Sequence, residues 1–210
     1  MSEFPHPDRT LEREDLLDDP IEQSRRWLEE AEVHGVVMAN AMALATAGAD
    51  GRPSVRHVLL RSLDARGFVF YTNHGSRKGR QLAENPHASA TILWKELDRQ
   101  ICVAGAVRRV PDEESDAYFA TRPRDAQLGA WASWQSAVLA GRRELDAALD
   151  EMDRRFAGAE VPRPPHWGGY LLAPETIEFW QGRAHRLHDR FRFTRDPQAP
   201  AGWLVERLSP

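Results

Sequence analysis

From Ala41 onward apolar character repeats every second residue in short runs, and a turn signal closes each run. That pattern confines the chain to short strands joined by tight connections. Ala41 to Ala47, Val55 to Leu63 and Gly67 to Thr72 carry the period, separated by Ala49-Asp50-Gly51 and Asp64-Ala65-Arg66-Gly67, so the spacing predicts an antiparallel meander. Further strands are expected at Ala88 to Trp94, Gln100 to Val110, Tyr170 to Leu172, Thr176 to Trp180, Phe191 to Thr194 and Trp203 to Leu208. Helical periods are inserted between these runs rather than alternating with them. One opens at Asp19-Pro20 and runs to about His34, one is capped by Ser76 and stopped by Asn85-Pro86, one is capped by Asp112 and ends near Thr121-Arg122-Pro123, and one spans Gly141 to Phe156. The order argues for a mainly β fold, an antiparallel barrel with peripheral helices, and against a doubly wound sheet.

A chain of 210 residues suits one well-packed core. Residues 19–210 read as a single domain and residues 1–18, charged and without a period, as a flexible arm. The net charge of -4 gives the chain no overall electrostatic footprint for nucleic acid. Cys102 is the only cysteine, which excludes an internal disulfide or a multi-cysteine metal site and suits a reducing cytoplasm. No apolar run approaches the roughly 20 residues of a membrane span, and the first ten residues do not resemble a signal peptide. A cytoplasmic protein without a membrane partner is expected.

Three basic clusters stand out. Trp180-Gln181-Gly182-Arg183-Ala184-His185-Arg186-Leu187-His188-Asp189-Arg190 sets arginines, histidines and an indole side by side, which suits an anionic, planar ligand; a basic strand end is the alternative. In Arg56-His57-Val58-Leu59-Leu60-Arg61 a regular strand would send Arg56 and Arg61 to opposite faces; a half-exposed strand with charged ends explains the run equally well. Tyr71-Thr72-Asn73-His74-Gly75-Ser76-Arg77-Lys78 joins a strand to a helix start, where backbone N-H groups, a hydroxyl and two cations can hold a phosphate; a plain cap with solvated charges is the alternative. Arg122, preceding Pro123, is expected to project from a helix end. His185 and His188 lack the spacing and carboxylates of a metal site, and no dinucleotide, P-loop or hydrolase motif occurs.

Taken together, these segments resemble the pyridoxine (pyridoxamine) 5'-phosphate oxidase family. The likeness rests on Arg56 to Arg61, Phe70 to Asn73 with Gly75 to Lys78, Arg99-Gln100, Arg122 to Asp125 with Gly129-Ala130-Trp131, Gln135-Ser136, Trp167-Gly168-Gly169, Glu178 to Gly182 and His185 to Arg190. It implies a split β-barrel that forms a homodimer and uses FMN and dioxygen to oxidise a phosphorylated B6 vitamer. It also implies that Arg56, His57, Val58, Leu59, Leu60, Arg61, Tyr71, Thr72, Arg77, Lys78 and Gln100 hold FMN. Gln135, Ser136, Trp180 and Arg190 would complete that site, partly from the second subunit. Arg61, Tyr118, Arg122 and Ala126 would surround the substrate phosphate, with Arg186 and His188 as catalytic residues over the pyridine ring. Arg61 stands where the family usually has Lys, and Ala126 where it commonly has Ser. Those departures leave open a related FMN oxidase of another aromatic metabolite, such as a phenazine-type precursor.

Overall fold

The computed structural model describes residues 6, 9–199 and 201–210. Helix α1 (Pro20–Val33) starts as anticipated: the Asp19 carboxylate accepts from the Ile21 amide at 2.8 Å and Pro20 takes the first helical position. The strands are β1 (Ala41–Ala47), β2 (Pro53–Leu59), β3 (Ser62–Asp64), β4 (Gly67–Asn73), β5 (His87–Trp94), β6 (Arg99–Arg109), β7 (Trp167–Gln181), β8 (Asp189–Arg195) and β9 (Trp203–Leu208). Between them lie α2 (Arg77–Glu84), α3 (Asp112–Ala120), α4 (Arg124–Ala132) and α5 (Arg142–Arg155).

All strand pairs are antiparallel and belong to one curled sheet in the order β2-β1-β5-β6-β7-β4-β3, with β8 and β9 continuing from β7. It forms a half-barrel around a core that includes Phe68, Phe70, Phe179 and Phe193, closed on one side by Trp27 of α1, edge-on to Phe179 at 5.1 Å. No helix among the described residues is long and apolar enough to cross a membrane.

The long strand β7 organises the molecule. Its first part pairs with β4, its last part with β8, and β6 runs along most of it. Two separate strands were expected there. Gly105 explains the continuity: the β6–β7 register shifts between Ala104 and Gly105, and a Cβ at Gly105 would stand 2.1 Å from the Ala173 carbonyl oxygen. The bulge bends β7 without breaking it.

Four further expectations are corrected. The single strand at Val55 to Leu63 is divided, because Leu60 turns to pair its backbone with Asn40 and Arg61 donates its amide to the Val69 carbonyl at 2.8 Å. Asp112 does not cap α3; Pro111 occupies the cap and the Asp112 carboxylate pairs with Arg163 at 2.8 Å. Helix α4 starts directly after Pro123, whose carbonyl accepts from Ala126 and Gln127, where the sequence suggested only a helix stop. The supposed flexible arm packs on the sheet from Leu11: Leu11 and Leu16 are buried, the Leu11 amide donates to Asp189 at 3.0 Å, and Arg207 pairs with Glu12. Residues 1–5, 7 and 8 of that arm lie outside the described residues.

Candidate active site

A cavity of about 710 Å³ opens between the β2–β3 break, β4, the start of β7 and helices α3 and α4. Of the expected residues, His57, Val58, Leu59, Arg61, Tyr71, Thr72, Lys78, Tyr118, Arg122, Ala126 and Gln135 line it. His57, Leu59 and Arg61, which regular alternation would set on one face, all reach the cavity wall, and Val58 joins them where β2 ends at Leu59.

Lys78 sits in the first turn of α2 and is 7 % exposed. Its Nζ donates to Gln135 Oε1 at 2.8 Å and Thr72 Oγ1 at 3.1 Å, and the Thr72 hydroxyl donates to the same Gln135 oxygen at 3.0 Å. Burial, with Arg56 nearby, pushes the Lys78 ammonium down to about 8. Arg56 lies behind it, fixed by the Leu44 carbonyl at 3.1 Å and Thr46 Oγ1 at 2.7 Å, and burial followed by the charge of Arg77 lowers its pKa. Among the described residues no carboxylate comes within ion-pair distance of Arg56, Arg77 or Lys78. Lys78 is buried and Arg56 half-buried, and cations so confined without a counter-charge are costly; with the exposed Arg77 beside them they suit a phosphate.

The helix start itself contributes less than anticipated. Ser76 is fully buried and its hydroxyl caps the Gly79 amide, while the Arg77 amide donates to Ser136 Oγ at 3.1 Å. Ser136 holds that position with φ 75°, a left-handed conformation that non-glycine residues seldom adopt.

Arg61 and Arg122 form a second cationic pair, also without a carboxylate in range among the described residues. Arg122 donates to the Ala126 carbonyl at 2.9 Å and lies 4.6 Å from the Trp167 ring centre; burial lowers its pKa and Arg61 lowers it further. Tyr71, Tyr118 and Trp167 form a stacked aromatic floor, with Tyr71 and Tyr118 centroids 4.0 Å apart. Gly169 makes this possible, since a Cβ there would meet the Tyr71 ring at 2.8 Å. Burial drives the Tyr71 phenol up to about 12, so it stays protonated.

Other expected residues lie elsewhere. The Leu60 side chain is in the core. Trp180, Arg186, His188 and Arg190 do not line the cavity and gather around the far end of β7 and the turn leading into β8, whereas Gln100 lines another cavity, of about 400 Å³, together with His57. Arg190 makes a two-pronged contact with Glu178 at 2.8 and 3.0 Å, which raises its pKa. Gln100 donates to Cys102 Sγ at 3.1 Å. His188 lies 4.6 Å from Trp180, and its Nδ1 accepts from the Arg183 amide at 3.1 Å, so the neutral ring carries its proton on Nε2. Burial, then Arg186 and Arg190, lower its pKa. His185 and Arg186 both have φ near 60°, a strained turn of the kind found at functional loops.

From Trp167 to Trp180 the strand covers roughly 40 Å at about 3.3 Å per residue. Within one chain the two groups therefore lie apart. Trp167, which touches both Tyr118 and Arg122, was quoted in the sequence but given no role; its signal was the pair of glycines that lets rings close over it.

A family model described as "Pyridoxamine 5'-phosphate oxidase" matches residues 28–155, and one described as "Pyridoxine 5'-phosphate oxidase C-terminal dimerisation region" matches residues 167–210. The chain is 54% identical to a pyridoxine/pyridoxamine 5'-phosphate oxidase of Salinibacter ruber, covering 95% of this chain and 93% of that protein. It is 56% identical to one from Rubrobacter xylanophilus, covering 91% and 87%. Among solved structures, PhzG from Burkholderia lata, crystallised with tetrahydrophenazine-1-carboxylic acid, superposes with a TM-score of 0.87 at 37% identity, covering 99% of this chain and 97% of that one. With these matches across both the cavity-forming part and the β7–β9 part, the chain belongs to the pyridoxamine 5'-phosphate oxidase family.

Proposed function

We propose that this protein is an FMN-dependent oxidase that converts pyridoxamine 5'-phosphate or pyridoxine 5'-phosphate to pyridoxal 5'-phosphate in the cytoplasm. The observation that carries the reading is that Lys78, backed by Arg56, and the pair Arg61 and Arg122 face one aromatic-floored region whose lining holds no carboxylate. Two phosphates, one of the cofactor and one of the substrate, match them.

The donor set around Lys78 fits an FMN phosphate. Lys78, Arg77 and Arg56 supply charge, and Thr72 and Gln135 hold the ammonium in place. Bound there, FMN would supply the two-electron oxidant for the substrate's C4' carbon, and dioxygen would take up those electrons as hydrogen peroxide; the alcohol gives the aldehyde directly, and with the amine a water adds and ammonia leaves. Arg61 and Arg122 grip the substrate phosphate and so orient its ring. Arg186 offers charge to the ring, and His188, neutral with its proton on Nε2, offers a hydrogen bond. Those two residues reach the cavity from a second copy of the chain. The homodimer reading is supported by the distance along β7 and by the match of residues 167–210 to a dimerisation region.

The test is to incubate FMN-loaded protein with each phosphorylated vitamer and measure pyridoxal 5'-phosphate and peroxide. Equal amounts of both products are expected. A protein that forms neither, yet oxidises a reduced phenazine carboxylic acid, would transfer the reading to the kind of ligand seen in PhzG, which the Arg61 and Ala126 departures leave open.

A further inference from the structure

A guanidinium can be fixed by a carboxylate or by an aromatic face, and the two differ in what they leave behind. A carboxylate neutralises the charge, whereas a ring face orients the cation and leaves the charge for a ligand. The cavity uses the second device. Arg122 lies 4.6 Å from the Trp167 centroid and 5.6 Å from Phe119, with its Nη2 donating to the Ala126 carbonyl. Arg61 lies 6.0 Å from the Tyr118 centroid, and Tyr118 is parallel to Trp167 within 7° at 6.2 Å. The stacked pair Trp167–Tyr118 thus joins the two arginines, with Trp167 on Arg122 and Tyr118 on Arg61.

Trp167 is itself held rigidly. It is 6 % exposed, its amide donates to the Pro164 carbonyl at 3.0 Å, and its carbonyl accepts from Arg163 Nη1 at 2.7 Å. Arg163 also pairs with Asp112 and Asp116 of α3, the helix that carries Tyr118. The clamp therefore ties the indole to the element it positions.

We propose that Trp167 is a positioning residue that sets the affinity for the substrate's phosphate, holding Arg122 and, through Tyr118, Arg61 in a charged and oriented state. This rests on the reading of the cavity as the substrate site. It is tested with FMN-loaded wild type, Trp167→Phe and Trp167→Leu, measuring KM and kcat for pyridoxamine 5'-phosphate and for unphosphorylated pyridoxamine. Trp167→Leu should raise KM for the phosphorylated amine about tenfold, and Trp167→Phe about threefold, with kcat within about twofold of wild type. The loss in kcat/KM should be several-fold smaller for unphosphorylated pyridoxamine than for the phosphorylated amine. An unchanged KM in Trp167→Leu, equal loss on both substrates, or a Phe variant no better than Leu would overturn the proposal. If Trp167→Leu fails to fold, the Phe variant carries the test, and an unchanged KM in it overturns the proposal. If wild type turns over neither amine, the oxidase reading fails and the inference is decided by calorimetric titration of FMN-loaded protein with inorganic phosphate. Trp167→Leu and Arg122→Ala should then both weaken phosphate about tenfold, and equal affinity in all three proteins would refute the role of Trp167.

Discussion

The cavity and the β7–β8 hairpin are both rich in cations, and they treat them in opposite ways. Around the hairpin, Arg190 is gripped by Glu178, while Arg183 and Arg207 converge on Asp189 at 2.9 and 3.1 Å. In the cavity, Lys78, Arg61 and Arg122 have hydroxyl, amide, carbonyl and ring partners, but no carboxylate in range among the described residues. Paired charges organise the fold, because separating them leaves a poorly solvated ion. Unpaired charges that are buried or half-buried, as Lys78 and Arg122 are and the exposed Arg61 is not, do the reverse: they cost stability until a ligand brings the missing anion. Pairing, rather than the number of arginines, separates scaffold from binding site.

The largest effect should come from breaking the scaffold side. Asp189 is buried and accepts from Arg183, Arg207 and the Leu11 amide, so it joins the N-terminal segment, the strained turn at His185–Arg186 and the last strand. Asp189→Asn should destabilise the protein by roughly 2–4 kcal/mol, below the full value for a buried pair because both arginines reach solvent. Urea unfolding measures the loss, and hydrogen exchange at Leu11 should accelerate with it. An unchanged unfolding midpoint would mean that the paired cations are ornamental.

Lys78→Met sharpens the contrast from the other side. Removing a buried cation with no counter-ion should leave apoprotein stability equal or higher, while FMN affinity falls by about 1.5–3 kcal/mol, the worth of a charge-assisted bond. Thermal melts of the apoprotein and flavin fluorescence titration read the two effects separately. A destabilised apoprotein with normal FMN affinity would place Lys78 on the scaffold side.

The pairing difference is what the sequence could not display. Alternation and turn residues made the strands legible at Ala41 to Ala47, and Asp19-Pro20 and Ser76 marked two helix starts, because these signals are local. The continuity of β7 depends on Gly105 facing Ala173, a contact between residues distant in the chain. Likewise Leu60 reads as one more member of a basic strand until its backbone is seen to pair with Asn40. The run Trp180 to Arg190 looked like the strongest anion site, yet Glu178 and Asp189, both visible in the sequence, neutralise part of it through strand register. Lys78 gave the weaker local signal, and burial beside Thr72 and Gln135 makes it the clearer candidate for a phosphate contact. Arg186 and His188 lie outside the cavity within one chain, so the role proposed for them needs a second copy.

The depressed ammonium gives the next test. Lys78 is protonated below about pH 8 in the free protein, and phosphate binding stabilises the protonated form. The FMN dissociation constant should therefore be flat from about pH 7, where the phosphate monoester is a dianion, up to that pH. Above it, the constant should rise by up to about tenfold per unit, because binding must first restore the proton. Lys78→Met should abolish this slope. A wild-type constant that stays flat to pH 10 would remove Lys78 from the phosphate contact.

Ala126→Ser asks the smallest question, whether a neutral donor helps where unpaired cations already act. Residue 126 lies in the first turn of α4, its carbonyl engages Arg122, and its side chain faces the cavity. A serine hydroxyl there has two choices. Pointing into the cavity, it adds a donor to the ligand's phosphate and lowers KM by about 0.5–1.5 kcal/mol, the net worth of a neutral hydrogen bond. Bent back to a preceding carbonyl, it competes with the helix's own bonding and leaves KM unchanged. Steady-state kinetics with pyridoxamine 5'-phosphate tell these apart, provided the Arg122→Ala background is included. If the gain requires Arg122, the hydroxyl and the guanidinium grip the same anion. A gain that persists without Arg122 would place the phosphate elsewhere in the cavity and break the assignment of the second cationic pair to the substrate.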